Sequence, residues 1–169
     1  YTLTDDSVKL INNLKQDVTL YVLSAENSAD DTVVRTLENY EDESSHIKVE
    51  YVDPAVSPNF YSSYTDAAPS DGSIIVVSGE KSKVIDASDL YEYSVDYSTY
   101  TQTKSAYDGE GQLTSAISYV TSDNQPKVYV ITGHGESSLD SSFQSALEKM
   151  NISVEELTLL QQDLSLIHI

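Results

Sequence analysis

The sequence predicts an α/β chain built in two parts. Helix and strand periods alternate from Tyr1 to Ile85 and end in two adjacent strands. A second alternation begins after Gly109, and inside it the apolar run Val128 to Ile131, bounded by Pro126 and Gly133, suits a strand buried on both faces of a parallel sheet.

The elements follow in order. Thr4 before Asp5 and Asp6 caps a helix whose apolar face is Val8, Leu10, Ile11 and Leu14. Val18 to Leu23 reads as a strand, and Asp30 or Asp31 caps a second helix with Val33, Val34, Leu37 and Tyr40 on one side. Ile47 to Val52 is the next strand, closed by Asp53-Pro54, and Pro58 to Tyr64 reads as a short helix with proline in its first turn. Pro69 to Gly72 turns the chain, Ser73 to Val77 is a strand, Gly79-Glu80 a hairpin turn, and Lys83 to Ile85 the return.

Helix, strand, helix, strand, helix, strand, strand is the order of a thioredoxin-like domain, expected over residues 1–90. Its redox chemistry needs a dithiol after the first core strand. The corresponding loop here reads Ser24-Ala25-Glu26-Asn27-Ser28, so a domain of this kind is redox-dead.

Residues 91–107 carry Tyr91, Tyr93, Tyr97, Tyr100 and Tyr107 among Ser, Thr and Asp, and are expected to form a linker. Such tyrosines can also stack on a sugar or a partner protein, being rigid and amphipathic. From 108 to 163 a helix with Leu113, Ala116, Ile117 and Val120 on one face precedes the Val128 strand, a helix over Ser138 to Met150, and a strand over Ile152 to Leu160. This is the opening of a Rossmann-like half, of flavodoxin or glutamine-amidotransferase kind, and two strands make it look truncated.

Composition narrows the function. With 28 acidic and 9 basic residues the net charge is −19, which repels nucleic-acid phosphates and anionic lipid headgroups. The absence of cysteine removes disulfides, thiolate catalysis and cysteine-ligated zinc. No apolar run reaches the ~20 residues of a membrane-spanning helix, and the chain begins at Tyr1, which reads as an excised piece, so that membrane anchors could lie outside it.

The candidate site is the turn Gly133-His134-Gly135-Glu136-Ser137, placed between strand and helix where α/β sheets bind ligands. Its glycines allow positive φ or bring amides close to a ligand, and His134 and Glu136 are polar tips. They can equally make only a sharp turn, because the pattern matches neither the dinucleotide fingerprint nor the phosphate loop. No serine stands between glycines as a nucleophile elbow requires. His46, His134 and His168 are scattered, no calcium-loop spacing occurs, and Asp86, Asp89, Glu92 and Asp96 read as surface charges. The sequence thus points to no catalytic residue, no metal and no cofactor.

Five segments resemble one family. Tyr1-Thr2-Leu3-Thr4, Val18-Thr19-Leu20-Tyr21, Val49 to Pro54, Leu113 to Ile117, and Lys127-Val128-Tyr129 through Thr132-Gly133-His134-Gly135-Glu136 are similar, in that order, to the GldG-like auxiliary component of ABC transporters, named for gliding motility. The resemblance runs from Tyr1 to about Leu160. It implies a non-enzymatic, extracytoplasmic interaction or sensing domain at the bacterial cell membrane, held by helices outside this chain and working with an ABC permease and ATPase. The alternative is a small-molecule or glycan-binding domain with its pocket at Gly133 to Ser137. No Gly-x-x-x-x-Gly-Lys-Ser/Thr loop occurs, so energy coupling would reside in the partners. The family continues past Gln162-Asp163, whereas Leu164 to Ile169 resembles translated adapter sequence and is read as non-native, which leaves His168 without a role.

Overall fold

A computed structural model describes residues 2–122, 127–132 and 140–158. The chain divides into two compact units, Tyr1–Thr121 and Ser122–Ile169.

In the first unit, the Thr4 hydroxyl accepts from the Ser7 amide at 3.4 Å and starts α1 (Asp5–Asn12). Strand β1 (Val18–Val22) buries Val18, Leu20 and Val22 on one face, as period-two alternation requires. Asp30 then caps α2 (Asp31–Glu43) by accepting from the amides of Thr32 at 2.9 Å and Val33 at 3.3 Å. Strand β2 (Ile47–Tyr51) runs parallel to β1, as expected across a helical crossover. After a 3-10 turn over Phe60–Ser63, strands β3 (Ile74–Ser78) and β4 (Lys81–Ile85) form a hairpin in which Gly79, at φ 58°, supplies the left-handed residue of the tight turn.

The sheet order is β2-β1-β3-β4, with β3 antiparallel to β1. This is a mixed α/β arrangement, and its element order, with a 3-10 turn in place of the third helix, is the one expected from the sequence, consistent with a thioredoxin-like part. One face of the sheet joins α1 and α2 in a single core that includes Ile11, Leu20, Leu37, Tyr40, Ile74 and Val76. On the other face Tyr21 meets Phe60 edge-on, with ring centroids 4.9 Å apart, and Tyr64 at 6.1 Å.

Within the first unit two expectations change. Residues 91–107 form an antiparallel hairpin, β5 (Tyr91–Asp96) and β6 (Thr101–Tyr107), rather than an irregular linker. Its signal is the alternation of Tyr91, Tyr93 and Val95 with Glu92, Ser94 and Asp96, masked because nearly every residue is exposed and a bulge shifts the register after Glu92. The helix expected to open the second half, α3 (Gly109–Thr121), instead packs against β3 and β4 in the first unit. Its apolar face, Leu113, Ala116, Ile117 and Val120, completes the core of that unit. Helical periodicity reveals that such a face exists without saying which sheet it covers.

The second unit holds β7 (Lys127–Thr132) and β8 (Ser153–Thr158), a parallel pair with α4 (Ser141–Lys149) between them in the chain. Asp140 caps α4, accepting from the amides of Ser142 and Phe143. Asn151, at φ 59°, ends it: its amide bonds Glu148 O and the Ile152 amide bonds Leu147 O, a Schellman closure. The expectation of a central strand buried on both faces changes, since Ile131 of β7 is 45% exposed; Phe143 on α4 and Met150 at its end are exposed as well. A two-stranded sheet with one helix, among the described residues, leaves apolar side chains uncovered.

Candidate functional site

The turn Gly133, His134, Gly135, Glu136 and Ser137 lies outside the described residues. Among those described, the ground for a site is a cleft of about 630 Å³ at the carboxyl end of β1, within the size range of ligand pockets.

Backbone hydrogen bonds build it. The Val52 amide donates to Val22 O, the Leu23 amide to Ser73 O, and the Gly72 amide to Leu23 O, each at 2.8 Å. The end of β1 is thereby held between the segments carrying Asp53 and Asp71. Gly72 turns the chain into β3 at φ 85°, a conformation that a Cβ would strain. Val22, Leu23, Val33, Pro54 and Leu90 form apolar lining, and Tyr91, Tyr93 and Lys104 of the hairpin supply a wall.

That wall is tied to the start of α2. The Tyr91 hydroxyl donates to Asp30 Oδ2 at 2.8 Å, while Lys104 Nζ stands 4.0 Å from the same oxygen and 3.8 Å from the centre of the Tyr91 ring. Partial burial pushes the Asp30 carboxyl up, but the Tyr91 hydroxyl, the Thr32 and Val33 amides and the Lys104 ammonium outweigh it and hold the group below its ordinary value. Burial and the Asp30 carboxylate push the Tyr91 phenol up to about 12. The hairpin base is closed by the Asp108 amide on Leu90 O at 2.9 Å, and the Tyr107 hydroxyl donates to Thr36 Oγ1 at 3.0 Å. A Cβ on Gly109 would overlap the Tyr107 hydroxyl, so this close approach needs glycine.

Asp86, expected as an ordinary surface charge, is a clamp. Its carboxylate accepts from the amide and hydroxyl of Ser88 at 3.0 and 2.8 Å and from those of Ser70 at 3.2 and 2.8 Å, joining the loop before β3 to the loop after β4. The Ser88 amide is the largest cause that holds the carboxyl at about 2 instead of 3.8. A depressed carboxylate stabilises the fold above the unfolded value and loses that contribution as pH falls through the folded one. Asp86→Ala is therefore expected to cost about 1 kcal/mol, the usual cost of losing a cap, at neutral pH. Denaturant unfolding at neutral pH and near pH 2 checks this: the gap between variant and parent should close at the acid end.

The cleft carries no thiol, and among the described residues no group of three or more His, Asp or Glu side chains is arranged to hold a metal. His46 lies apart from it, with Nδ1 2.9 Å from Asp17 Oδ1. Sequence reasoning found Asp30 as a cap and Tyr91 and Tyr93 as aromatic contacts. It missed Asp53, Asp71 and Lys104 as neighbours, because strand pairing, not spacing, brings them to one place.

A family model described as a domain of unknown function, DUF7088, matches residues 1–89. The chain belongs to the DUF7088 family. The DUF7088 match ends before the hairpin and α3, although α3 shares the core of the matched part. Among solved structures, this DUF7088 chain is similar to the NTD_N/C domain of the alkylhydroperoxide reductase AhpF from Enterococcus faecalis, at 11% identity and a TM-score of 0.44, over 95% of this chain and 78% of that one. No curated protein matches it.

Proposed function

We propose that this DUF7088 chain is a non-enzymatic interaction or sensing domain on the extracytoplasmic face of a bacterial ABC transport system, with a cysteine-free thioredoxin-like first unit and a second unit that opens a Rossmann-like half. The reading rests on the five ordered segments that resemble the GldG-like auxiliary family. One observation supports a recognition role: the cleft at the end of β1, where a thioredoxin-like enzyme would hold its dithiol, is lined by hydroxyls, carboxylates, tyrosines and apolar side chains. Such a lining suits recognition.

The partners in this proposal are an ABC permease and its ATPase, and attachment to the membrane is through helices outside this chain. No helix among the described residues is long and apolar enough to cross a membrane. The full-length protein, expressed with its neighbouring genes and purified in detergent, should bring down a permease and an ATPase in fixed ratio. A full-length reading frame with neither a membrane helix nor a transporter gene beside it would overturn the proposal.

A further inference from the structure

We propose that the cleft at the end of β1 is a binding site for an organic cation, an ammonium or guanidinium group carried on an apolar stem. The inference stands on the cleft's own lining and goes beyond the transporter reading.

Charge in the cleft is unbalanced. Asp30, Asp53 and Asp71 line it against the single ammonium of Lys104. Lys104 and Asp30 already answer each other, with the ammonium also seated over the Tyr91 ring. Asp53 and Asp71 are left over, one on each side of the end of β1. Asp53 Oδ1 accepts from the Ala55 amide at 2.8 Å, which fixes the carboxylate in place. Among the described residues no group of three or more acids is close enough to hold a metal ion, and the apolar and aromatic side chains beside Asp53 and Asp71 suit a cation carried on an apolar stem.

The apolar part of the ligand is specified separately. A second hollow of about 210 Å³ adjoins the first, sharing Leu23, Pro54 and Asp71 with it and adding Phe60 and Tyr61 to its walls. Asp71 thus stands where the two hollows meet. A ligand with its charged head between Asp53 and Asp71 can extend its stem towards Phe60 and Tyr61. On the other side the half-exposed Tyr93 ring offers a cation a π face. The net charge of −19 would raise the local concentration of cations and repel anions of the same shape.

Three probes of one length separate charge from apolar fit: 4-phenylbutylamine, 4-phenylbutanol and 4-phenylbutyrate, titrated calorimetrically into the whole chain. The amine is expected to bind about tenfold more tightly than the alcohol, and the acid more weakly than either. Asp71→Asn should weaken the amine about fivefold, the size of one exposed ion pair, and leave the alcohol unchanged. Asp53→Asn with Asp71→Asn should remove the amine's advantage altogether. Glu80→Gln, on the β3–β4 turn away from both hollows, should change nothing. Equal binding of amine and alcohol, no response to the paired Asp variants, or an equal loss in Glu80→Gln would each overturn the proposal. Circular dichroism of these surface variants excludes unfolding as the cause. Failure here would leave co-purification with a permease untouched, so the two proposals fall separately.

Discussion

Ile117→Ala is expected to destabilise the first unit by about 2–5 kcal/mol, the range for deleting a buried aliphatic side chain. Ile117 is fully buried on α3 and belongs to the same core as Leu20, Leu37 and Ile74. Were α3 part of the second unit, the substitution would leave unfolding of residues 1–121 unchanged. The measurement is denaturant unfolding of a fragment ending at Ser122, followed by circular dichroism and tyrosine fluorescence, since the chain has 13 tyrosines and no tryptophan. A fragment ending at Leu90 should show no cooperative transition. It lacks Leu113, Ala116, Ile117 and Val120, whose burial covers β3 and β4, and uncovered strands of this kind lose the main favourable term in folding. A cooperative transition in the shorter fragment would refute the assignment of α3.

The parts of this fold legible in the sequence are those decided by near neighbours. Thr4 and Asp30 cap their helices through amides two or three residues on. Gly79 turns the β3–β4 hairpin within two residues. Elements that depend on distant partners were not legible. The hairpin over 91–107 has an exposed polar face, where Ser94 and Thr103 meet at 3.1 Å, so no strong apolar alternation marks it. Its anchors, Asp30 for Tyr91 and Thr36 for Tyr107, lie 61 and 71 residues away. The cleft is a harder case still. Leu23, Asp53 and Asp71 converge only because β1 pairs with both β2 and β3, and a motif search along the chain has no access to that pairing.

The hydroxyl of Tyr40 joins all three helices of the first unit, and its removal is the second large effect expected. It lies 2.6 Å from Thr114 Oγ1 and donates to Glu110 O at 3.1 Å on α3, while Thr114 Oγ1 meets Ser7 Oγ of α1 at 2.8 Å. Glu110 extends the network by accepting from the Thr4 amide and hydroxyl, both at 2.7 Å. Tyr40→Ala is expected to cost about 3–5 kcal/mol, the range for truncating a buried aromatic. Tyr40→Phe keeps the ring and should cost about 1–3 kcal/mol for the polar groups left unsatisfied. The pH dependence separates packing from hydroxyl. Burial pushes the Tyr40 phenol up to about 12 from its ordinary 10.0. A raised value means the stabilisation is complete below about pH 10 and falls as pH rises towards about 12, because only the unfolded chain ionises easily there. Tyr91 contributes in the same sense, so the comparison that isolates Tyr40 is parent against Tyr40→Phe, whose stability should fall less steeply over that interval. Identical slopes in the two proteins would mean that the phenol is not held in this network, and the three helices would then be joined by apolar packing alone.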